Sequence, residues 1–215
     1  MKKIILIGDS LRMSYDKYVK DALEGVAEVY YPTENCRYSQ YVLRHLHDWK
    51  EKHEWPADID LVHWNAGGWD VSEIYGDPPL SSLEHYADMI TRINRRIRLL
   101  FPNAKVVFAT TSSVVDEQYE GRRFQRHNRV IEEFNATAIK VLEGSGTVIN
   151  DLYAHSLKAP MEYRSDAVHF GTDEGRAYLG KKVLATICGE LNITASEVKL
   201  EDFKPEDYTA DNIAY

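Results

Sequence analysis

The chain has 215 residues, of which 44% are hydrophobic and 28% charged, a balance typical of a soluble globular protein. Its net charge of −8 would repel the phosphates of a nucleic acid and the surface of an anionic membrane, which argues against both as partners. Two cysteines, Cys36 and Cys188, form no metal-ligand pattern, and we expect neither a metal nor another cofactor.

The predicted elements alternate between short apolar runs and longer stretches with apolar residues at helical spacing. The apolar runs are rich in Val and Ile with little alternation, as expected for strands buried on both faces of a parallel sheet. This order predicts an α/β fold, with a doubly wound five-stranded parallel sheet. In chain order the elements are strand 3–7, helix 15–23, strand 27–31, helix 41–49, strand 59–64, helix 83–100, strand 105–110, helix 126–142, strand 147–150 and helix 173–191.

One domain is predicted over residues 1–195, followed by an acidic tail over residues 196–215 whose role the sequence leaves open. The tail could pack on the domain, contact another subunit or be disordered, so a homo-oligomer also remains open. The apolar run over residues 4–7 is too short for the core of a signal peptide, and no segment has the apolar length of a membrane span. We therefore expect a cytoplasmic protein.

Ser10 follows the first predicted strand, in the sequence GDSL at residues 8–11. Ligands of open α/β sheets bind at the carboxyl ends of the strands, where this serine lies. Its hydroxyl would need a neighbouring base to act as a nucleophile, and its backbone N–H would be exposed to an oxyanion. The alternative is a serine that only caps the next helix.

Asp166 and His169 lie three residues apart, just before the last helix. In a tight turn both side chains point to the same side, so the carboxylate can orient the imidazole and leave Nε2 free to serve as a base. An accidental pair in a surface loop is the alternative. Asn65, at the end of the third strand, is a candidate oxyanion donor, with Gly67 and Gly68 suited to a sharp turn beside a ligand. The alternative there is an Asx-turn.

Taken together, these segments resemble the SGNH hydrolase superfamily, the group of GDSL esterases and lipases. The resemblance rests on GDSL at residues 8–11, NAGGWD at residues 65–70 and DAVH at residues 166–169, which occur in the family's order. It implies a three-layer α/β/α fold similar to flavodoxin. It also implies an acyl-enzyme mechanism in which Ser10 is the nucleophile, His169 the base, Asp166 its orienting partner and Asn65 an oxyanion donor.

Two positions depart from the family's pattern. The second block usually supplies a glycine N–H, whereas the corresponding loop offers the backbone of Asn35 or Cys36. The third block usually reads G-x-N-D, whereas here His63 precedes Trp64 and Asn65, and Ala66 follows. A histidine next to the site would narrow the pocket or add a second titrating group. The catalytic side chains themselves are all present.

The expected function is that of a serine esterase acting on a short-chain ester, with an acetyl group on a carbohydrate as the preferred substrate. Asp9, Arg37 and Trp69 are candidate substrate-binding residues, since aromatic and polar side chains commonly flank carbohydrates, while Trp64 is assigned to the core. A lipase or thioesterase of the same fold, and a non-catalytic ligand-binding module, are the alternatives. Asp9 as a phosphatase nucleophile is disfavoured because Leu11 stands where a second carboxylate would hold Mg²⁺.

Overall fold

In a computed structural model, described over residues 1–200, five parallel strands form a central sheet in the order β2-β1-β3-β5-β7. Two further strands, β4 and β6, pair antiparallel outside this sheet. The elements are β1 Lys2–Ile7, α1 Ser10–Ala22, β2 Ala27–Tyr30, α2 Ser39–Lys52, β3 Leu61–Trp64, β4 Glu73–Ile74, α3 Leu83–Leu100, β5 Lys105–Ala109, β6 Phe124–Gln125, α4 Asn128–Leu142, β7 Val148–Asn150, α5 Leu152–Ser156 and α6 Asp173–Leu191.

The central sheet separates two apolar clusters. On one face, side chains such as Tyr15 of α1 and Val183 of α6 pack against alternate strand residues, including Ile4. On the other face, helices α2, α3 and α4 contribute residues such as Trp49 and Ile90. The doubly wound three-layer α/β/α architecture predicted from the sequence is therefore confirmed.

The strand order reverses between β1 and β3, since β1 pairs in parallel with β2 on one side and with β3 on the other. In open α/β sheets such a reversal opens a crevice at the carboxyl ends of the strands. β1 ends at Ile7 and β3 at Trp64, and these two residues are partners in the sheet. The segments that follow them, which carry Ser10 and Asn65, therefore leave the sheet side by side.

Three predicted helices differ from the structure at their first residues. Helix α2 begins at Ser39 rather than Tyr41. Helix α1 begins at Ser10 rather than Tyr15, because the Asp9 carboxylate caps it by accepting a hydrogen bond from the Leu11 N–H at 3.0 Å. Helix α4 begins at Asn128 rather than Arg126. The short elements β4, β6 and α5 were not predicted, since two to five residues carry too little periodicity to identify.

The first residues of the predicted tail pack on the domain. The Ser196 N–H donates to the Ala22 carbonyl at 2.8 Å, and Val198 contacts the apolar cluster beneath α1 and α6. The remainder of the predicted tail, from 201 to 215, lies outside the described residues. Within residues 1–200, none of the helices combines the length and the apolar character that crossing a bilayer requires.

Candidate active site

Ser10 is the first residue of α1, immediately after the turn that leaves β1. The first N–H groups of a helix have no acceptor within the helix, and the helix dipole makes this end favourable for negative charge. Ser10 therefore stands where its backbone N–H faces the carboxyl edge of the sheet. The hydroxyl of Ser14, one turn later, donates to the Ser10 carbonyl at 3.1 Å and so fixes the first turn.

The structure brings Ser10, His169 and Asp166 into one hydrogen-bonded chain. Ser10 Oγ lies 2.8 Å from His169 Nε2, across 159 residues of sequence. On the other side of the ring, His169 Nδ1 lies 2.8 Å from Asp166 Oδ2. A carboxylate at Nδ1 favours the tautomer in which Nε2 is unprotonated and can accept the serine proton. The arrangement therefore has the geometry of a nucleophile, a base and an orienting acid.

The two carboxylate oxygens of Asp166 have separate partners. Oδ2 accepts from the imidazole, while Oδ1 accepts from the backbone N–H groups of Val168 at 2.7 Å and His169 at 2.8 Å. Burial alone would raise the pKa of Asp166. These hydrogen bonds and the His169 charge lower it by more than burial raises it, so the net pKa falls well below the usual range. The carboxylate is therefore ionised at any pH at which the protein would work.

Asn65 directly follows β3 and contacts Asp9, the residue before Ser10. Its backbone N–H donates to the Ile7 carbonyl at 3.0 Å, and its side-chain Nδ2 donates to Asp9 Oδ1 at 3.2 Å. The close approach depends on Gly8, because a Cβ at that position would lie 1.9 Å from Asn65 Oδ1. Asp9 thus holds both the first turn of α1 and the candidate oxyanion donor.

In the loop predicted to supply a second oxyanion N–H, the Cys36 N–H and the Asn35 side chain already have hydrogen-bond partners. The Cys36 N–H donates to the Gly8 carbonyl at 3.2 Å, so Cys36 is not free to serve as that donor in this structure, contrary to expectation. The side chain of Asn35 accepts from the Arg37 N–H at 2.9 Å in an Asx-turn. The Asn35 N–H remains a prediction.

The candidate substrate-binding residues fall into two groups. Asp9 lines a pocket together with Ser10. Arg37 instead stacks on the ring of Tyr41, with its guanidinium carbon 4.6 Å from the ring centroid, and Trp69 is half-buried. Neither Arg37 nor Trp69 is among the residues that line that pocket, so their contact with a substrate remains a prediction.

The expectation that His63 would narrow the pocket or titrate there is wrong, because its side chain lies in the core. Its side chain is fully buried on the face of the sheet that α1 covers, with its ring 6.2 Å from that of Tyr15. Asn150 Nδ2 lies 3.1 Å from His63 Nε2, and burial lowers the pKa of His63 to about 3. Trp64, in contrast, packs in the core as expected, 4.8 Å from the ring of Phe108.

Two arginines at the site were missed by sequence reasoning. Arg164 donates to the Ser113 carbonyl at 3.1 Å and to Ser113 Oγ at 2.8 Å, and stacks on Phe170. It thereby holds the loop that carries Asp166 and His169 against the segment after β5. Arg126 is buried and lines the pocket at Ser10. Arg164 lies in a connecting segment and Arg126 was predicted as the first residue of a helix, so no sequence pattern marked either residue as part of the site.

The pocket at Ser10 is small: its cavity volume of about 20 Å³ lies far below the range for sites that enclose a whole small molecule. Asp9 and Arg126 are the charged residues in its wall. Within residues 1–200, there is no group of three or more His, Cys, Asp or Glu side chains arranged to hold a metal ion. The other residues of the wall are Ser10, Leu11, Gly68, Thr111, Ser112, Val114, Ile131 and Val168.

Comparison with solved structures identifies similar folds among esterases and lipases. A lipase/acylhydrolase from Enterococcus faecalis is 18% identical, with a TM-score of 0.67 over 97% of this chain and 100% of its own. The acetyl xylan esterase AlAXEase is 16% identical, with a TM-score of 0.66 over 86% of this chain and 99% of its own. A carbohydrate esterase of family 3 from Talaromyces cellulolyticus is 13% identical, with a TM-score of 0.64 over 90% and 100%.

No family model and no curated protein matches the chain by sequence. At identities of 12–18%, the structural likeness concerns the fold alone. Because it extends over nearly the whole length of these esterases, the likeness is not limited to the common βαβ unit. The chain therefore has the fold of GDSL-type, or SGNH, esterases and lipases.

Proposed function

We propose that this protein is a serine esterase of the SGNH type that hydrolyses a short-chain ester, with an acetyl group on a carbohydrate as its preferred substrate. The observation that carries the proposal is the continuous hydrogen-bonded chain from Ser10 Oγ through His169 to Asp166, with both links at 2.8 Å. A serine that only capped α1 would need no imidazole at its hydroxyl. The cap of α1 is in any case Asp9.

In the proposed mechanism, Ser10 Oγ attacks the ester carbonyl carbon while its proton passes to His169 Nε2. Asp166 holds the ring in the required tautomer and stabilises the imidazolium that forms. The Ser10 N–H and the side-chain amide of Asn65 donate to the oxyanion. Collapse of the tetrahedral intermediate breaks the ester C–O bond, and the departing alcohol takes the proton from His169.

The second half of the reaction removes the acyl group from Ser10. A water molecule gives a proton to His169 Nε2 as its oxygen attacks the acyl carbon. The new tetrahedral intermediate then releases the carboxylic acid, and Ser10 Oγ takes the proton back. No group beyond the ester and water is consumed, and the enzyme returns to its starting state.

Two observations support a short acyl group. The pocket at Ser10 is small, and residues of modest size, such as Thr111, Ser112 and Val114, form much of its wall. Among the proteins of similar fold, one is described as an acetyl xylan esterase and another as a carbohydrate esterase. These descriptions support the choice of an acetylated carbohydrate.

The test is hydrolysis of p-nitrophenyl acetate and p-nitrophenyl butyrate by the wild type and by Ser10→Ala. We expect turnover by the wild type, faster for acetate, and a loss of about 10⁴-fold or more in the variant, as for other triads. Circular dichroism checks that the variant is folded. Equal activity, or equal inactivity, of the two folded proteins would favour a non-catalytic binding module instead.

A further inference from the structure

Arg126 has an unusual position for a guanidinium group. It directly follows β6 and precedes α4, and only 7% of the residue is exposed. Its Nε donates to the hydroxyl of Ser72 at 3.0 Å, and its side chain forms part of the wall of the pocket that contains Ser10. A permanent positive charge therefore lies in the wall beside the candidate nucleophile.

A buried charge is costly unless an opposite charge or several hydrogen bonds compensate it. Among the described residues, no carboxylate forms an ion pair with the Arg126 guanidinium. Its side-chain partners are the hydroxyls of Ser72 and Tyr119 and the ring of Phe124, whose centroid lies 5.1 Å from the guanidinium carbon. Burial lowers the pKa of Arg126, and the more distant charges of Asp9 and Asp166 oppose this only in part. The protein itself thus leaves this cation incompletely compensated.

The donors of Arg126 also exceed the acceptors that the protein supplies. A guanidinium carries five N–H groups in a planar fork, and two hydroxyls cannot occupy all of them. The other charged residue of the pocket wall, Asp9, is already engaged, because its Oδ1 accepts from the Leu11 N–H and from Asn65. None of the Arg126 nitrogens is both buried and without a partner, so the N–H groups left over are accessible to an acceptor on a molecule bound in the pocket.

We infer that Arg126 determines the specificity of this site, and that the preferred ester carries a carboxylate close to the scissile bond. The inference rests on the proposed esterase function and makes its substrate more specific. A carboxylate offers two oxygens in the geometry that matches the fork, and two parallel N–H···O bonds add strength and orientation. The pair between Arg126 and the carboxylate would form only when the ester lies beside Ser10, so it would raise kcat/KM for esters that carry the carboxylate.

The carboxylate can belong to the alcohol part or to the acyl part of the ester, and matched substrates separate the two. For the alcohol part, the pair is an O-acetylated galacturonic acid and its methyl ester. For the acyl part, the pair is the mono-p-nitrophenyl ester of succinic acid and p-nitrophenyl acetate. The measured quantity is the ratio of kcat/KM for the anionic ester to that for its neutral counterpart.

We expect Arg126→Gln to lower this ratio by about 10- to 100-fold for one of the two pairs, the range typical of lost bonds to a charged group. Arg126→Lys should retain part of the preference, because it keeps the charge but not the fork. Arg129→Gln is the matched control, since Arg129 is exposed, lies on the first turn of α4 and changes the net charge equally. Its ratio should equal that of the wild type.

An unchanged ratio in folded Arg126→Gln, for both pairs, would overturn the inference while leaving the esterase proposal intact. If the wild type hydrolyses none of the four esters, the proposed function fails first. A measurement on the wild type alone covers the case of an unfolded variant: galacturonate should inhibit hydrolysis of p-nitrophenyl acetate more strongly than methyl galacturonate does. Equal inhibition, together with equal kcat/KM values for each substrate pair, would likewise contradict the inference.

Discussion

The side-chain amide of Asn65 carries two N–H groups, and the Asp9 carboxylate accepts one of them at 3.2 Å. The second remains for the oxyanion, so Asp9 fixes the amide without exhausting it. We expect Asn65→Ala to lower kcat by about 10²- to 10³-fold, the usual cost of removing one oxyanion donor. Steady-state kinetics with p-nitrophenyl acetate measure this loss, with thermal melting as a check of folding. Full activity in the folded variant would exclude this role.

Gly8 is required by the close approach of Asn65 rather than by an unusual backbone angle. A Cβ at Gly8 would lie 1.9 Å from Asn65 Oδ1 and 2.7 Å from the Cβ of Arg12, so one of these groups must move. We expect Gly8→Ala to destabilise the fold by about 1–3 kcal/mol and to reduce activity together with it.

Chemical denaturation at neutral pH measures the effect of Gly8→Ala. The matched control is Gly189→Ala in α6, where nothing lies within 4 Å of the added Cβ. An alanine in a helix should be neutral or stabilising there, by up to about 1 kcal/mol. A Gly8→Ala variant as stable and active as the wild type would show that Asn65 does not need its observed position.

At the scale of the elements, the loop before α6 owes its shape to tertiary contacts. The Ser165 N–H donates to the His169 carbonyl at 2.9 Å, which closes the turn on itself. The Val115 N–H donates to the Ala167 carbonyl at 2.9 Å, and Arg164 adds its two bonds to Ser113. The loop is thus attached to the segment after β5, which holds His169 within reach of Ser10.

Removal of this attachment should affect the reaction more than substrate binding. We expect Arg164→Gln to lower kcat by about 10²-fold with a smaller change in KM, because a displacement of about 1 Å can cost that much. Arg122→Gln, a change of the same charge at an exposed position, is the control. A rise in KM at constant kcat would instead mean that Arg164 contacts the substrate.

For the molecule as a whole, the buried neutral His63 predicts how stability depends on pH. The folded-state pKa is about 3, whereas an unfolded histidine titrates near about 6.5. Below pH 6.5 the unfolded chain therefore binds a proton that the folded chain does not, and stability falls as the pH is lowered towards 3. The contribution approaches about 1.4 kcal/mol per pH unit.

Urea denaturation at pH 7, 6, 5 and 4 checks this, with His63→Gln as the comparison. The variant removes the titrating group and keeps a side chain that can meet Asn150, so its free energy of unfolding should fall less steeply below pH 6.5. The two proteins are compared by the slope of the free energy of unfolding against pH, since the substitution can also change stability at neutral pH. Identical slopes would show that His63 does not remain neutral in the folded protein.

The sequence alone was sufficient for the architecture and for naming the three residues that form the hydrogen-bonded chain from Ser10 to Asp166. Buried strands and amphipathic helices have periodicities that reflect local geometry, so their alternation indicates a parallel sheet. A parallel sheet brings the carboxyl ends of its strands to one edge, and Ser10 and Asn65 could therefore be placed there. The spacing of Asp166 and His169 is likewise local, and the observed turn brings both side chains together as expected.

Tertiary structure alone decided which polar groups face the pocket. His63 and Asn65 lie two residues apart around the end of β3, yet one is buried beneath α1 and the other contacts Asp9. The Cys36 N–H turned out to be bound to Gly8, and Arg126, predicted as the first residue of a helix, lies in the pocket wall instead. These outcomes depend on contacts between residues distant in sequence, because a buried polar group takes whichever partner the packed fold brings within reach.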